Sequence, residues 1–497
     1  MLFKKIFPVP QKFFKSTWIL LLILFFFGIL FSSVSIVNHY NFRTAGWDLG
    51  LFNNAIYDYA HFHWNDCSLL LPNFNIRNTL GDHFSLLPIF ISPFYWIFGS
   101  YTMLIFQIIG ILWGGVGIYK LILETSKNQT LSLLAVVHFF SIWGIYSALG
   151  FDYHDNVLAA MFVPWFLFYV RIEKWWYAAI YFFLVLVSKE NMALWMAFIC
   201  IGLIFIYYKD RKKLKYIIPG AFISVSFFIL LIKIIIPSIS SSEGYIHFDF
   251  SALGNNMTDA LSTIIKHPEY TFNLLFENHL GDPQYNGIKT ELFYVILMSG
   301  GFALIFKPQY LIMLIPIFAQ KLFNDLYTRW GINAQYSIEL VPVITVALFV
   351  WITDKNFKRK NLLAAFFILL TMCTTISVLD SRKSLWYSPS QERFYQKQHY
   401  FRNFNVNDVY AALNKIPDDA DLSAQSALVP HVCFRKEIYH YPYVRDAQYI
   451  ALLTADENIY PFSTKEEYDK NIQDLIKSGS WAVYFQNSAV LILQRIK

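Results

Sequence analysis

Long apolar blocks separated by short polar loops fill the first 379 residues of the chain. Most of these blocks approach the roughly 20 residues that an α-helix needs to cross a hydrocarbon core of about 30 Å. The predicted membrane helices are residues 17–37, 102–123, 130–148, 156–172, 175–188, 191–208, 216–237, 291–306, 308–323, 337–352 and 361–379. The pattern therefore predicts a mainly α, polytopic transmembrane helical bundle of about eleven spans.

The pattern changes after residue 379. Residues 380–497 have mixed charge and short apolar runs between helical patterns. Two runs near the C-terminus, WAVYF and AVLIL, predict a β-hairpin. We therefore predict a transmembrane catalytic-type domain over residues 1–379 and a small α/β domain over residues 380–497. Because no glycine-rich phosphate loop precedes either predicted helix, nucleotide binding by this tail is not indicated.

The composition supports lipid as the main solvent. Of the 497 residues, 56% are hydrophobic and 15% are charged, whereas ordinary soluble domains contain roughly 25% charged residues. The net charge of +6 arises from clusters between apolar blocks, so a nucleic-acid partner is not indicated. The four cysteines include no CxxC pair, so the sequence indicates neither a zinc site nor a dense disulfide framework. A bridge between Cys67 and Cys433 stays open.

The basic clusters set the predicted orientation, because loops rich in Lys and Arg stay in the cytoplasm. They lie at the N-terminus and at residues 209–215 and 355–360. All three fall on one side only if the short, proline-containing apolar segment 84–98 does not cross. We therefore predict a multi-pass protein of the inner (plasma) membrane with a cytoplasmic N-terminus and an extracytoplasmic C-terminal domain. Its two long outer loops are residues 38–98 and 238–290.

Ionisable residues concentrate at the outer rim of the predicted bundle, not at the centres of the spans. They occur in four motifs: GWDLGLFNN with Asp48, GDHFS with Asp82 and His83, GFDYHDN with Asp152, His154 and Asp155, and VSKEN with Lys189 and Glu190. All four motifs fall on the same face of the predicted topology. We therefore predict one site, in which partly desolvated acids accept protons.

Each rim motif also has a structural interpretation. Asp48 could cap the helix that follows it, since Asp is a favoured N-cap residue. Asp82 and His83 could begin the short helix of the same loop, and the FDYHDN segment could be a polar turn between helices. Lys189 and Glu190 could form an interfacial ion pair worth about 1 kcal/mol or less.

The FDYHDN motif also suggests a metal. Asp152, His154 and Asp155 offer oxygen and imidazole donors, which suit a divalent ion such as Mn²⁺ or Mg²⁺. Their spacing is not diagnostic, so the metal stays a hypothesis beside the polar-turn interpretation.

The same motifs carry a resemblance to a known family. WDLGLFNN, GDHFSLLPIFISPFYWIFG, FDYHDN, SKEN and the tail segment AQSALVPHVCFRKEIYHYP occur in this order. They resemble the predicted membrane proteins grouped as domain of unknown function 2079. That family looks like a branch of the type C glycosyltransferase superfamily, whose members transfer a sugar from a polyprenyl-phosphate carrier at the outer membrane face. By position, Asp48 resembles the first-loop acid of that superfamily, and Asp152 or Asp155 the second-loop acid.

The resemblance implies a specific function. The chain is expected to move a sugar from a polyprenyl-phosphate carrier to an acceptor hydroxyl, with the lipid bilayer, the lipid-linked sugar and an unidentified acceptor as partners. The expected catalytic residues are Asp48, Asp82 and Asp152, and the expected substrate-binding residues are His83, Arg77, His154, Asp155, Lys189 and Glu190. This chain departs from the better-known members in lacking a paired Asp-Glu in its first outer loop and a recognisable acceptor-binding motif.

Two alternatives to a transferase remain. The first is a transporter or flippase for a lipid-linked or polar substrate, which predicts an internal repeat and polar residues at the midplane. Neither feature is evident in the sequence. The second is a non-enzymatic membrane scaffold with an outer interaction domain, in which the rim acids could be replaced without loss of function.

Overall fold

The computed structural model describes residues 11–74, 76–240, 245–355, 357–384, 388–456 and 458–496. Part of the predicted second outer loop, residues 241–244, lies outside these ranges, as do Asn356 of a basic cluster and the first ten residues. The described helices of seven or more residues are α1 (Gln11–Tyr40), α2 (Leu51–Ala60), α3 (Thr102–Ser126), α4 (Gln129–Ser141), α5 (Trp143–Leu149), α6 (Asp155–Arg171), α7 (Trp175–Leu186), α8 (Glu190–Ile206), α9 (Arg211–Leu230), α10 (Met257–Lys266), α11 (Pro268–Leu274), α12 (Ile288–Ile296), α13 (Pro308–Leu322), α14 (Leu340–Asp354), α15 (Lys360–Asp380), α16 (Val406–Leu413) and α17 (Lys465–Lys477).

Fewer helices than predicted are long enough to cross a membrane. The described residues contain four such helical stretches: Thr17–Tyr40, Leu87–Ser126, Arg211–Ser240 and Lys360–Asp380. The pair α4 and α5, bent by 46°, adds a fifth if the two helices form one span. The prediction of about eleven spans is therefore corrected to four or five.

The difference comes from helix length. The predicted spans at 156–172, 175–188, 191–208, 308–323 and 337–352 correspond to helices of 17, 12, 17, 15 and 15 residues. At 1.5 Å per residue these helices rise about 18–26 Å, less than a hydrocarbon core of about 30 Å. Much of their apolar surface packs inside the protein, as in α14, where most residues are buried.

Helices α3 and α6 pack closely because glycines line one face of α3. A Cβ on Gly110 would lie 2.3 Å from Leu158 Cδ2, and a Cβ on Gly114 would lie 2.7 Å from Met161 Sδ. Small residues at helical spacing let two backbones approach, as is common in membrane helix packing. Gln107 lies one turn before Gly110 on the same face of α3. This contact therefore also brings Gln107 against the segment that precedes α6.

A small sheet forms near the C-terminus. Its strands are β1 (Leu422–Ala424), β2 (Ile438–His440), β3 (Tyr449–Leu453), β4 (Trp481–Gln486) and β5 (Val490–Arg495), in the order β2-β1-β3-β5-β4. Strand β1 is parallel to β2 and β3, whereas β5 is antiparallel to β3 and β4. The antiparallel β4–β5 pair confirms the predicted terminal hairpin. Strands β1 to β5 with α16 and α17 are called the tail domain below.

The tail domain packs on the first outer loop. Asn54 Nδ2 donates to Cys433 O at 2.9 Å. A Cβ on Gly50 would lie 2.8 Å from Val429 Cγ1, so the absence of a side chain at this position permits the close approach. Cys67 and Cys433, considered above for a bridge, are free thiols buried in the same apolar cluster.

Three long helical stretches end at one face of the protein. Arg43, just after α1, and Asp380, at the end of α15, both contact the segment that leads into the tail domain. Gly81 in the first outer loop approaches Ser240, at the end of the stretch that begins with α9, so closely that an added Cβ would lie 3.1 Å from Ser240 N. The first outer loop and the tail domain therefore lie on the same side.

Candidate functional site

A cavity of about 440 Å³ lies where the first outer loop, the start of α8, the segment after residue 245 and the loop before α14 meet. Its volume is within the usual range for small-molecule sites, about 300–1,000 Å³. Seven of the nine site residues predicted from sequence line it: Asp48, Asp82, His83, His154, Asp155, Lys189 and Glu190. The other two, Asp152 and Arg77, are not part of its wall.

Asp48 and His154 form a carboxylate–imidazole pair in this cavity. His154 Nε2 lies 3.1 Å from Asp48 Oδ1. Burial lowers the pKa of His154, and the hydrogen bond to Asp48, which acts in the opposite direction, does not offset this effect. The neutral imidazole therefore donates its Nε2–H to the carboxylate. Because neither short helix around Asp48 uses it as a cap, the N-cap interpretation of Asp48 is wrong.

Asp152 supports this pair from behind the cavity wall. Its Oδ2 accepts from Ala45 N at 2.8 Å and from Leu49 N at 3.4 Å, on either side of Asp48. Burial raises the pKa of Asp152 well above its usual range, and the nearby Asp48 raises it further. Burial and the neighbouring carboxylate therefore both disfavour a second negative charge beside Asp48. The Asp152 side chain thus holds the backbone on both sides of Asp48 and lies outside the cavity wall.

The backbone at Asp152 adopts a conformation that is rare for residues other than glycine. Its φ is 144°, which costs on the order of 1–3 kcal/mol and persists only where the surrounding structure holds it in place. The side chain of Gln107 provides this support, because its Nε2 donates to Asp152 O at 2.7 Å and its Oε1 accepts from His154 N at 2.9 Å. Gln107 was not predicted from the sequence. Its only signal is a single amide within an apolar helix.

A second polar cluster joins the two outer loops. His247 Nε2 lies 2.8 Å from Asp82 Oδ1, and His83 Nδ1 lies 3.0 Å from Glu190 Oε1. Tyr245 OH donates to the same Glu190 oxygen at 2.8 Å. Burial alone would raise the pKa of Asp82, but neighbouring basic side chains, led by His83, outweigh it and lower this pKa.

The second cluster changes two sequence interpretations. Glu190 contacts His83, Tyr245 and a backbone N–H. Within the described residues, no ion pair joins Glu190 to Lys189. Asp82 ends a short helix instead of beginning one. His247 and Tyr245 were missed, because isolated polar residues in a long loop give no periodic signal.

Positive charge in the cavity comes from three basic residues. Lys189, Lys321 and Arg329 all line the wall. Lys321 is buried and donates to the carbonyls of Arg329, Gly331 and Tyr336 at 2.8–2.9 Å. Lys321 thus holds the loop that carries Arg329. Neither Lys321 nor Arg329 was predicted from the sequence.

The rest of the cavity wall is largely apolar. The apolar residues come from α8, α9, α10, α13 and the segment before α10, and include Leu194, Phe228, Phe248, Phe250, Leu253, Leu261, Ile264, Pro316 and Ile317. The cavity therefore offers a charged region and an apolar region to the same ligand.

Arg77, which was predicted to bind substrate, lies outside the cavity wall. It forms an ion pair with Asp66 and a second one with Glu437 Oε1 at 2.8 Å. Glu437 belongs to the segment that leads into β2, so Arg77 links the first outer loop to the tail domain. Because Arg77 lies outside the cavity wall and Lys321 donates to backbone carbonyls, Lys189 and Arg329 are the cations available to a ligand.

The predicted metal ligands face different partners. Asp152 accepts from backbone N–H groups, His154 contacts Asp48, and Asp155 Oδ1 accepts from Tyr153 OH at 2.6 Å. Among the described residues, one group of three His, Cys, Asp or Glu side chains has ligand atoms within 4.8 Å of one another, and it consists of Asp82, His83 and His247.

The family model for predicted membrane proteins, DUF2079, matches residues 38–492. This range includes the first outer loop, all four rim motifs and the tail domain up to β5. The chain belongs to this family. No curated protein sequence matches the chain. Family membership and the apolar helices together identify a membrane protein associated with the lipid bilayer.

Proposed function

We propose that this chain is an integral-membrane glycosyltransferase that moves a sugar from a polyprenyl-phosphate carrier to an acceptor hydroxyl at the non-cytoplasmic face. The composition of the cavity wall carries this proposal. A carboxylate–imidazole pair and cations line one part of the wall, and apolar side chains line the rest. A lipid-linked sugar has the matching parts, namely a polar sugar, an anionic phosphate and an apolar chain. The resemblance of the rim motifs to type C glycosyltransferases supports the same assignment.

Asp48 is the general base in the proposed reaction. Its carboxylate accepts the proton of the acceptor hydroxyl while the hydroxyl oxygen attacks the anomeric carbon of the donor sugar. The new bond joins that oxygen to the sugar, and the bond between the anomeric carbon and the phosphate oxygen breaks. His154 holds the carboxylate by its Nε2–H. The products are the glycosylated acceptor, polyprenyl phosphate and a proton on Asp48.

Lys189 and Arg329 are the proposed partners of the leaving phosphate. Both line the cavity, and Arg329 Nη1 lies 3.4 Å from Asp249 Oδ2. Negative charge grows on the phosphate oxygen as the sugar departs, and fixed cations beside it stabilise the transition state more than the ground state. Asp155, which also lines the cavity, is proposed to orient the sugar through a hydrogen bond.

The transfer assay tests this function directly. The full-length protein in lipid nanodiscs is incubated with a panel of polyprenyl-phosphate hexoses and pentoses and with a cell-envelope extract that supplies acceptor hydroxyls, and released polyprenyl phosphate is measured by mass spectrometry. We expect release with one donor class and a loss of about 10²-fold in rate for Lys189→Gln, the scale for removing one stabilising group. Lys120→Gln, which removes an exposed lysine on α3, serves as the control. A donor that binds without being cleaved would favour a flippase and overturn the transferase proposal.

The proposed orientation places the cavity outside the cytoplasm. The ends of α1 and α15 lie on the side of the first outer loop and the tail domain, as does Ser240. With the basic N-terminus in the cytoplasm, this side is extracytoplasmic. The start of α9, about 45 Å along a continuous helical stretch from Ser240, is then cytoplasmic. In this topology residues 84–98 do not cross the membrane.

Cysteine labelling tests the orientation. Cys373 is exposed whereas Cys67, Cys200 and Cys433 are buried, so Cys373→Ala gives a background with little native labelling. Arg211→Cys and Ser381→Cys place single thiols at exposed positions. We expect a membrane-impermeant maleimide to label intact cells at position 381 but not at 211, with both sites reactive after lysis. Labelling of both sites from the same side contradicts the topology.

A further inference from the structure

Three ligand-type side chains meet where the two outer loops join. Asp82 and His83 follow one another in the first loop, and His247 comes from the second loop. The rings of His83 and His247 stack with centroids 4.3 Å apart, and His247 Nε2 lies 2.8 Å from Asp82 Oδ1. One ligand atom from each of the three residues lies within 4.8 Å of the other two. All three residues line the cavity.

A buried carboxylate orients one of these imidazoles. Glu190, whose side chain is 1% exposed, lies with its Oε1 3.0 Å from His83 Nδ1. Phe84 N and Tyr245 OH donate to the same carboxylate, which fixes its position. When Nδ1 of His83 donates to Glu190, Nε2 carries the lone pair. A carboxylate that accepts from the far nitrogen of a ligating histidine is the usual support of a protein metal site.

We propose that Asp82, His83 and His247 bind one Zn²⁺ ion and leave a coordination position open to the cavity. Two imidazoles and one carboxylate are the ligand set of open zinc sites, whereas Mg²⁺ and Ca²⁺ prefer oxygen donors alone. Ligand atoms around zinc at about 2.0–2.2 Å are separated by roughly 3.3–3.6 Å in a tetrahedral arrangement. The ligand atoms lie within 4.8 Å of one another, so the proposed site requires the three side chains to adjust when the ion binds. The site differs from the Asp152, His154 and Asp155 set considered from sequence.

Zinc binding can be tested without any assay of sugar transfer. The full-length protein is treated with EDTA, reloaded with Zn²⁺, and analysed by mass spectrometry of metals and by titration calorimetry. We expect one Zn²⁺ per chain and an affinity at least about 10-fold lower in His83→Gln, in His247→Gln and in Glu190→Gln. Mg²⁺ in excess should not displace the ion.

Two controls separate this site from other histidines. His63→Gln changes an exposed histidine of the first outer loop and should leave zinc binding intact. His154→Gln should also retain the zinc, and if it loses the ion while His247→Gln keeps it, the proposed site is wrong. Chains that bind no zinc above the level of the His83→Gln and His247→Gln double variant also overturn the proposal.

X-ray absorption of the wild-type protein keeps the proposal testable even if the variants fail to fold. The extended fine structure above the zinc edge should fit two imidazole nitrogens at about 2.0–2.1 Å together with oxygen ligands. Fewer than two imidazoles would exclude this ligand set. These measurements do not involve a sugar donor. Zinc binding and sugar transfer are therefore tested independently, and either proposal can fail without the other.

Discussion

Asp48→Asn is expected to abolish sugar transfer while leaving the protein folded. Asparagine has the same shape and can still accept the hydrogen bond from His154 Nε2, which lies 3.1 Å from Asp48 Oδ1, but it cannot accept a proton from the acceptor. Loss of a general base reduces the rate by about 10²–10⁴-fold. The measurement is release of polyprenyl phosphate, together with the thermal unfolding temperature of the same preparation.

Asp66→Asn is the matched control for this prediction. Asp66 belongs to the same outer loop but pairs with Arg77 and does not line the cavity. The Asp66→Asn variant should therefore keep most of the transfer rate. Retention of more than half of the rate by Asp48→Asn would show that Asp48 is not the base.

Lys321→Met is expected to cause the largest loss of stability. The Lys321 ammonium is buried, and it donates to three backbone carbonyls and to Ser337 Oγ at 3.1 Å. Methionine fills a similar volume but provides no donor, so several buried acceptors lose their partner at a cost of about 1–3 kcal/mol each. We expect a destabilisation of roughly 3–5 kcal/mol. A fall of at least about 5 °C in the unfolding temperature should be measurable by scanning fluorimetry.

Lys120→Met provides the comparison for Lys321→Met. Lys120 is exposed on α3, so the same chemical change there should move the unfolding temperature by no more than about 1 °C. The loop held by Lys321 also carries Arg329 into the cavity. Lys321→Met should therefore weaken binding of polyprenyl phosphate at temperatures where the protein is still folded. Equal unfolding temperatures for the two variants would contradict the structural role of Lys321.

The hydropathy pattern located the apolar helices, but it did not show whether each helix contacts lipid or other helices. The runs that became α1, α3, α9 and α15 were recognised as helices and are long enough to span a membrane. The run that became α14 has the same apolar character but only 15 residues, most of them buried in the protein. Apolar composition cannot distinguish a neighbour that is lipid from a neighbour that is another helix, so the sequence alone overcounted the spans.

The motif residues of the cavity were predictable because each stands in an unusual local context. Asp48 and His154 are polar positions beside aromatic and aliphatic ones, and their shared face followed from topology. Gln107, His247 and Lys321 were not predictable, because their partners are distant in sequence and their own surroundings carry no repeating pattern. The role of Asp152 was also hidden, since an acid that positions backbone and an acid that accepts a proton look alike in a sequence.

The contact between Gly50 and Val429 bears on how this protein could be divided or recombined. The first outer loop carries the proposed base, yet its backbone rests on the tail domain, nearly 380 residues further along the chain. A chimaera that exchanged the WDLGLFNN segment between relatives would therefore also need the matching ALVPHVCF segment. Removing the tail domain would remove the surface on which the first outer loop packs. The first outer loop and the tail domain thus form one packed unit, although nearly 380 residues separate their contacting segments in the sequence.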